Sequence, residues 1–543
     1  MKRWAMYFVL LLLVISKIRA ESYSSNVEAW KGGEGIEEIG EQLWVEEEED
    51  EEIGGIELWR TKESGKNPVN VDSFGAVGDG IADDTQAFIN AWAKACSLEN
   101  AVFLIPEGRQ YKVNATKFKG PCQDKITIQI EGTIIAPDDP KQWDPKSQRN
   151  WLTFNKLTGV RFQGGGVIDG SGSKWWAASC KINKTNPCKG APTALTIDQC
   201  SGVRVKHLNF QYSQQIHFAI ARSDSVRISG VRVTAPEDSP NTDGIHITES
   251  TNVAIQNVHI GTGDDCISIV NASSNIKMKN IKCGPGHGIS IGSLGKDNST
   301  AVVTAVVLDT AIITGTTNGL RIKTWQGGSG YVRGVKFQNV KMIDVQNPII
   351  IDQFYCDSST PCKNQTSAVK ISGVIYKDIT GTSKSPEAMK FACSDTVPCS
   401  GIVLNNINLE REDGIAQTYC NCAMGIDFGV VKPPADCLKN TACGGGDKEK
   451  YQSALVQHGK LQELAVLAGD EIGTRKKPMK TSGFRISNAE ATFLLWSDSG
   501  QSLHLIPSAM SAAPQLMLLP SPNPPPPLPS YKNSCSVNKL KPD

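Results

Sequence analysis

Between residues 100 and 430 the apolar positions fall in short β-branched runs, each interrupted by Gly, Asn, Asp or Ser. Val203-Arg-Val, Val226-Arg-Ile, Val253-Ala-Ile and Ile276-Lys-Met begin 23, 27 and 23 residues apart. Val335-Lys-Phe, Val369-Lys-Ile and Ile402-Val-Leu follow at wider spacing. Each run is short and β-branched, as a buried strand would be. A single rung of this kind has nothing to bury its apolar face against. Stacked rungs do, and a period in the twenties without intervening helices points to stacking. The pattern predicts an all-β fold, a right-handed parallel β-helix over 67–443, with a β-sandwich of similar strand length as the competing reading. Residues 86–97 break the pattern. Their apolar positions recur at helical spacing, so one amphipathic helix is expected near the start of the solenoid.

Outside this region the pattern is lost. Met1-Lys2-Arg3, the apolar stretch Trp4 to Ile15 and the small residue Ala20 have the order of a secretory signal peptide. Twelve apolar residues are too few to cross a bilayer, which takes roughly 20. Residues 21–66 are acidic and Gly-rich, with Glu46 to Glu52 reading EEEEDEE, and are expected to form a disordered arm or pro-segment. Residues 444–543 lack strand periodicity. One helix is expected over Lys448 to Ala468, and the run Pro520 to Pro529 does not fit a core, so the tail is expected to be mostly disordered.

The formal charge is zero but unevenly placed. Residues 21–60 carry 14 acidic and two basic side chains, residues 1–20 carry four positive charges, and 61–543 is therefore net +8. A basic body favours an anionic partner. For a secreted chain an acidic polysaccharide fits better than nucleic acid, and no membrane contact is expected after signal cleavage. The 16 cysteines agree with an oxidising compartment. Close spacing makes Cys180–Cys188, Cys356–Cys362 and Cys393–Cys399 candidate bridges. Cys420 and Cys422 stand too near each other to pair easily, so each is expected to pair elsewhere. No two CxxC pairs face one another as a zinc site would need. Asn114, Asn183, Asn271, Asn298 and Asn364 head Asn-x-Ser/Thr sequons and are candidate glycosylation sites.

Four motifs carry candidate chemistry: Asn241-Thr-Asp-Gly244, Gly263-Asp-Asp-Cys266, Gly286-His-Gly288 and Arg321-Ile-Lys323. Asp243 precedes Asp264 by 21 residues, and Asp264 precedes His287 by 23. Both intervals approximate one rung, so Asp243, Asp264, Asp265 and His287 are expected to cluster. Arg321 and Lys323, two apart in a strand, share a face. A lone Asp in a Gly-rich turn usually caps backbone, and consecutive Asp residues also suit calcium. Three carboxylates one rung apart raise at least one pKa, placing an acid beside a base. Glycoside hydrolysis needs that pair.

Taken together, SPNTDGIHI from Ser239, GTGDDCISI from Gly261, CGPGHGISIGSLG from Cys283 and NGLRIKTW from Asn318 resemble the signature set of the plant polygalacturonases of glycoside hydrolase family 28. FGAVGDG from Phe74 and DDTQAF from Asp83 also match, and the resemblance covers roughly residues 69–437. It implies a secreted, cell-wall enzyme that cuts polygalacturonic acid (pectin) with inversion, as a monomer, without metal or cofactor. By motif, Asp264 would be the general acid, and Asp243 and Asp265 would hold and deprotonate water. His287 would tune the acid and Asn241 would order the site. Arg321 and Lys323 would bind galacturonate carboxylates, Tyr355 would contact sugar, and Cys266–Cys283 would brace the catalytic rung. Inversion usually sets the two carboxyl groups flanking the bond roughly 6.5–9.5 Å apart. A calcium-dependent pectate lyase and a non-catalytic pectin-binding wall protein are the rival readings.

Overall fold

The computed structural model describes residues 66–440 and 443, apart from 124, 145–147 and 359. The expectations for the signal peptide, the acidic arm and the tail from 444 onward lie outside the described residues, except for Lys66.

The strands run parallel and stack rung upon rung in two sheets, one of 19 strands and one of 11 among the described residues. The expected repeat is visible as columns of side chains. Val203, Val226, Val253 and Ile276 pair in register and continue through Val306 and Val335 to Val374 and Ile402. All are buried. Each contributes about 1.5–3 kcal/mol of burial relative to exposure, before the cost of ordering the chain. One sequence expectation is displaced. Val374, not Val369, occupies the column beside Val335. The preceding loop, closed by Cys356–Cys362, lengthens that rung and hides the repeat.

Corners between strands need a left-handed residue. Gly230, Asn257, Asn280, Thr310, Asn339, Asp378 and Asn406 stack at one corner, with φ from 52° to 64°. Asn and Gly tolerate this region best, which is why they punctuate the runs. The corner side chains also tie successive rungs, as in Asn280 Nδ2 donating to Asn257 Oδ1 at 2.7 Å.

The expected helix is α1, Thr85–Cys96, one residue earlier than its pattern indicated. It buries Ala87, Phe88, Ala91, Trp92 and Ala95. Trp92 meets Phe103, Phe118 and Phe154 edge-on, so the helix covers the aromatic beginning of the solenoid core. A five-residue helix at Ser173–Ala177 had no clear signal in the pattern. Disulfides join Cys180 to Cys188, Cys356 to Cys362 and Cys393 to Cys399. Cys420 pairs with Cys437 and Cys422 with Cys443, each away from its neighbour. Cys96–Cys122 tethers the end of α1, and Cys200 is a buried free thiol.

Four sequon asparagines, Asn183, Asn271, Asn298 and Asn364, are exposed. Asn114 is half-buried, and its amide donates to Asp83 at 2.8 Å.

Candidate active site

The site lies on the narrower sheet, across five consecutive parallel strands: β1 (Ile245–Thr248), β2 (Ile267–Ile269), β3 (Ile289–Leu294), β4 (Asn318–Trp325) and β5 (Asn347–Tyr355). Ile245, Ile267, Ile289, Leu320 and Ile349 pair in register and point into the core. Asp243, Asp265 and His287 each stand two residues before a member of this column, so they stack. The stacked pair is therefore Asp243 with Asp265, 22 residues apart, rather than Asp243 with Asp264. Asp264 precedes this column by one residue.

Asp264 is nonetheless drawn into the cluster. Its Oδ1 accepts the Asp265 backbone N–H at 2.7 Å and lies 3.0 Å from His287 Nδ1. Its Oδ2 accepts from Asn241 Nδ2 at 3.1 Å. Asn241 reaches it from a left-handed turn, φ 57°. His287 sits between two glycines, and the backbone around it is tight. A Cβ on Gly288 would lie 2.0 Å from the Asn318 carbonyl oxygen. The bridge Cys266–Cys283 fastens the residue after Asp265 to the strand leading into the His287 turn.

Asp265 has a different environment. Its side chain is 2% exposed and fully engaged. Oδ1 accepts from Arg321 Nη2 at 2.6 Å and from Ser290 Oγ at 2.8 Å, and Oδ2 accepts from Lys323 Nζ at 2.9 Å. Burial alone would raise its pKa, but Arg321 and Lys323 override it and bring the carboxyl to about 2. The two cations do share a face, as their spacing requires. That face is turned to Asp265.

Asp243 is the opposite case. Burial, then the nearby Asp264 and Asp265, push its carboxyl well above the ordinary range. Ser268 Oγ donates to its Oδ2 at 2.7 Å, and His246 Nδ1 lies 2.8 Å from Ser268 Oγ. Burial lowers His246 to about 4, so its imidazole is neutral near neutral pH. Ser268, Ser290 and His246 were not legible as site residues. Their one signal was position: each is polar between two core isoleucines, at Ile245-His-Ile, Ile267-Ser-Ile and Ile289-Ser-Ile.

Tyr355 ends β5, its ring edge-on to Trp325 and 5.3 Å from Lys323 Nζ. The pair forms an aromatic wall beside the cations.

Asp264, Asp265 and His287 also form a group with metal-ligand chemistry, their ligand atoms within 4.8 Å of one another. The donor set does not suit calcium, because Arg321 and Lys323 already neutralise both oxygens of Asp265 and would repel a cation.

Residues 96–426 match the model of glycosyl hydrolases family 28. The chain belongs to that family. Among family 28 relatives, a probable polygalacturonase of Arabidopsis thaliana is 50% identical over 383 residues, covering 70% of this chain and 86% of its own. Polygalacturonases of Persea americana and Malus domestica are each 48% identical, over 68% and 70% of this chain and 79% and 81% of theirs. The fold recurs in an exopolygalacturonase from Thermotoga maritima, with TM-score 0.55 and 20% identity, covering 66% of this chain and 90% of that one. It recurs also in a polygalacturonase from Erwinia carotovora, with TM-score 0.53 and 23% identity, covering 64% and 94%. These solenoids identify the family 28 architecture here as the right-handed parallel β-helix.

Proposed function

We propose that this chain is a secreted, cell-wall enzyme that hydrolyses α-1,4-galacturonosidic bonds of polygalacturonan by direct, inverting attack of water. One observation supports this above the rest. Three carboxylates converge from two adjacent rungs: Asp264 bonded to Asn241 and His287, Asp265 paired with Arg321 and Lys323, and Asp243 stacked beside Asp265. Asp264, held by Asn241 and His287, donates the proton to the leaving oxygen. Asp243 takes a proton from the attacking water, and Asp265 orders that water while anchoring Arg321 and Lys323. As substrate enters, its carboxylate competes with Asp265 for the two cations, and the aromatic wall of Trp325 and Tyr355 flanks the sugar.

Against retention, both oxygens of Asp265 are held by three donors, which makes it a poor nucleophile. Fast proton magnetic resonance of fresh product decides. The inverted anomer is expected first, and a covalent glycosyl-enzyme on any of the three Asp residues overturns the assignment. A lyase would instead release an unsaturated product and require calcium.

The roles carry a pH signature. Asp243 must be ionised to act as base, and Ser268 stabilises its ionised form. Ser268→Ala is expected to move the acid limb of the activity profile upward by about one pH unit, given the usual strength of a hydrogen bond to a charged group. An unmoved limb in a folded variant removes Asp243 from the base role.

A further inference from the structure

The outer face of the wide sheet carries a row of side chains that the catalytic site does not use. Arg232, His259, Lys282, Ile312, Lys341 and Thr380 occupy one column, paired in register on six successive strands. All six are exposed, and none is acidic. Adjacent strands are about 4.8 Å apart, so the row runs roughly 24 Å along the solenoid axis. Arg232, Lys282 and Lys341 form no ion pair with a described residue. Burial and the flanking Arg232 and Lys282 depress His259, so the permanent charges are the other three. Ile312, 41% exposed, interrupts the cations with an apolar patch.

The three permanent charges, Arg232, Lys282 and Lys341, stand on every second strand, roughly 10 Å apart, and repel one another weakly along the row. A linear polyanion relieves the repulsion along its whole length, and the apolar Ile312 suits the C–H face of a pyranose ring between charged substituents. We infer that this row is a second binding site for a strand of de-esterified galacturonan, separate from the catalytic cleft, which holds the enzyme on its polymeric substrate. The inference rests on the acidic-polysaccharide reading above for the identity of the polymer, but not on any catalytic role.

The test uses the full secreted chain carrying Asp264→Asn, so that substrate survives, with and without Arg232→Gln, Lys282→Gln and Lys341→Gln together. Retention on calcium-gelled pectate is measured by pelleting across salt concentrations. The triple variant is expected to bind about tenfold more weakly at low salt, as three exposed charge contacts would give. The difference should shrink as salt screens the contacts. In the active background the triple variant should cleave trigalacturonide, too short to reach the row, at the parental rate, and pectate gel more slowly. Equal retention of variant and parent overturns the proposal. So does a matching loss on trigalacturonide, which would mean that the row acts through the cleft. Retention that appears only after residues 21–60 are removed would assign the row to the chain's own acidic segment and overturn it as well. If neither active protein cleaves trigalacturonide or pectate, the hydrolase reading fails, while pelleting still reports on the row.

Discussion

Asp264→Asn is expected to lower hydrolysis of polygalacturonate by roughly a hundred- to ten-thousandfold, the usual contribution of a general acid. The folded protein should remain. The amide oxygen still accepts from the Asp265 N–H and from His287, and only the bond from Asn241 to Oδ2 is lost unless Asn241 turns its amide oxygen to the new NH2 group. Binding of oligogalacturonide should therefore persist. A second substrate separates the acid from the base. An aryl galacturonide, whose leaving group departs without a proton, should recover most of the lost rate with Asp264→Asn and none with Asp243→Asn. Recovery in the reverse pattern would exchange the two roles, because Asp243 is the carboxyl whose pKa burial and its neighbours raise. Near-parental turnover of polygalacturonate by Asp264→Asn would remove it from the chemistry altogether.

Lys323→Ala is expected to damage stability and activity together. Lys323 is 9% exposed and Asp265 only 2%, so removing the lysine leaves a buried carboxylate with Arg321 as its one remaining cation. Breaking a buried pair typically costs about 3–5 kcal/mol, and the retained arginine puts the expected loss near the lower figure. The pH dependence has a definite sign. The folded pKa of Asp265 is depressed to about 2, so its stabilisation is fully present above the unfolded value near 4 and is lost as pH falls towards 2. The parent should lose about 2–3 kcal/mol across that window, and Lys323→Ala less, because less remains to be lost. Turnover should fall at least a hundredfold, since substrate carboxylate and Asp265 both lose a partner. Urea unfolding at pH 7, 4 and 2 checks the first claim. Identical acid sensitivity in parent and variant would show that the pair does not control Asp265.

The solenoid was legible because its period is local. Val203, Val226, Val253 and Ile276 repeat at nearly constant spacing, and stacking is the one economical way to bury them. The repeat became unreadable at Val369, where a disulfide-closed loop changed the length of the rung but not the register of the column. The cluster was legible in outline for the same reason, yet its internal pairing was not. Spacing of 21 and 22 residues does not distinguish Asp264 from Asp265, and one residue decides which side chain joins the column. The bond between Asp265 and Lys323 spans 58 residues and two unequal rungs, so no local rule signals it. His246 and Ser268 look like ordinary polar positions of a half-buried strand until the strand beside them is known.

The left-handed corners have a consequence for how such a protein changes over generations. The stacked residues Ile245, Ile267, Ile289, Leu320, Ile349 and Met389 are separated by 22, 22, 31, 29 and 40 residues, yet remain in register. Extra chain leaves the coil at a turn and returns to it without shifting the column. Insertion and deletion are therefore nearly neutral for the scaffold, and a mutation that lengthens one loop reshapes the surroundings of the carboxylates without moving them. Substrate range and chemistry can diverge under separate selection, one loop at a time, while the asparagines at the corners hold the reading frame of the fold.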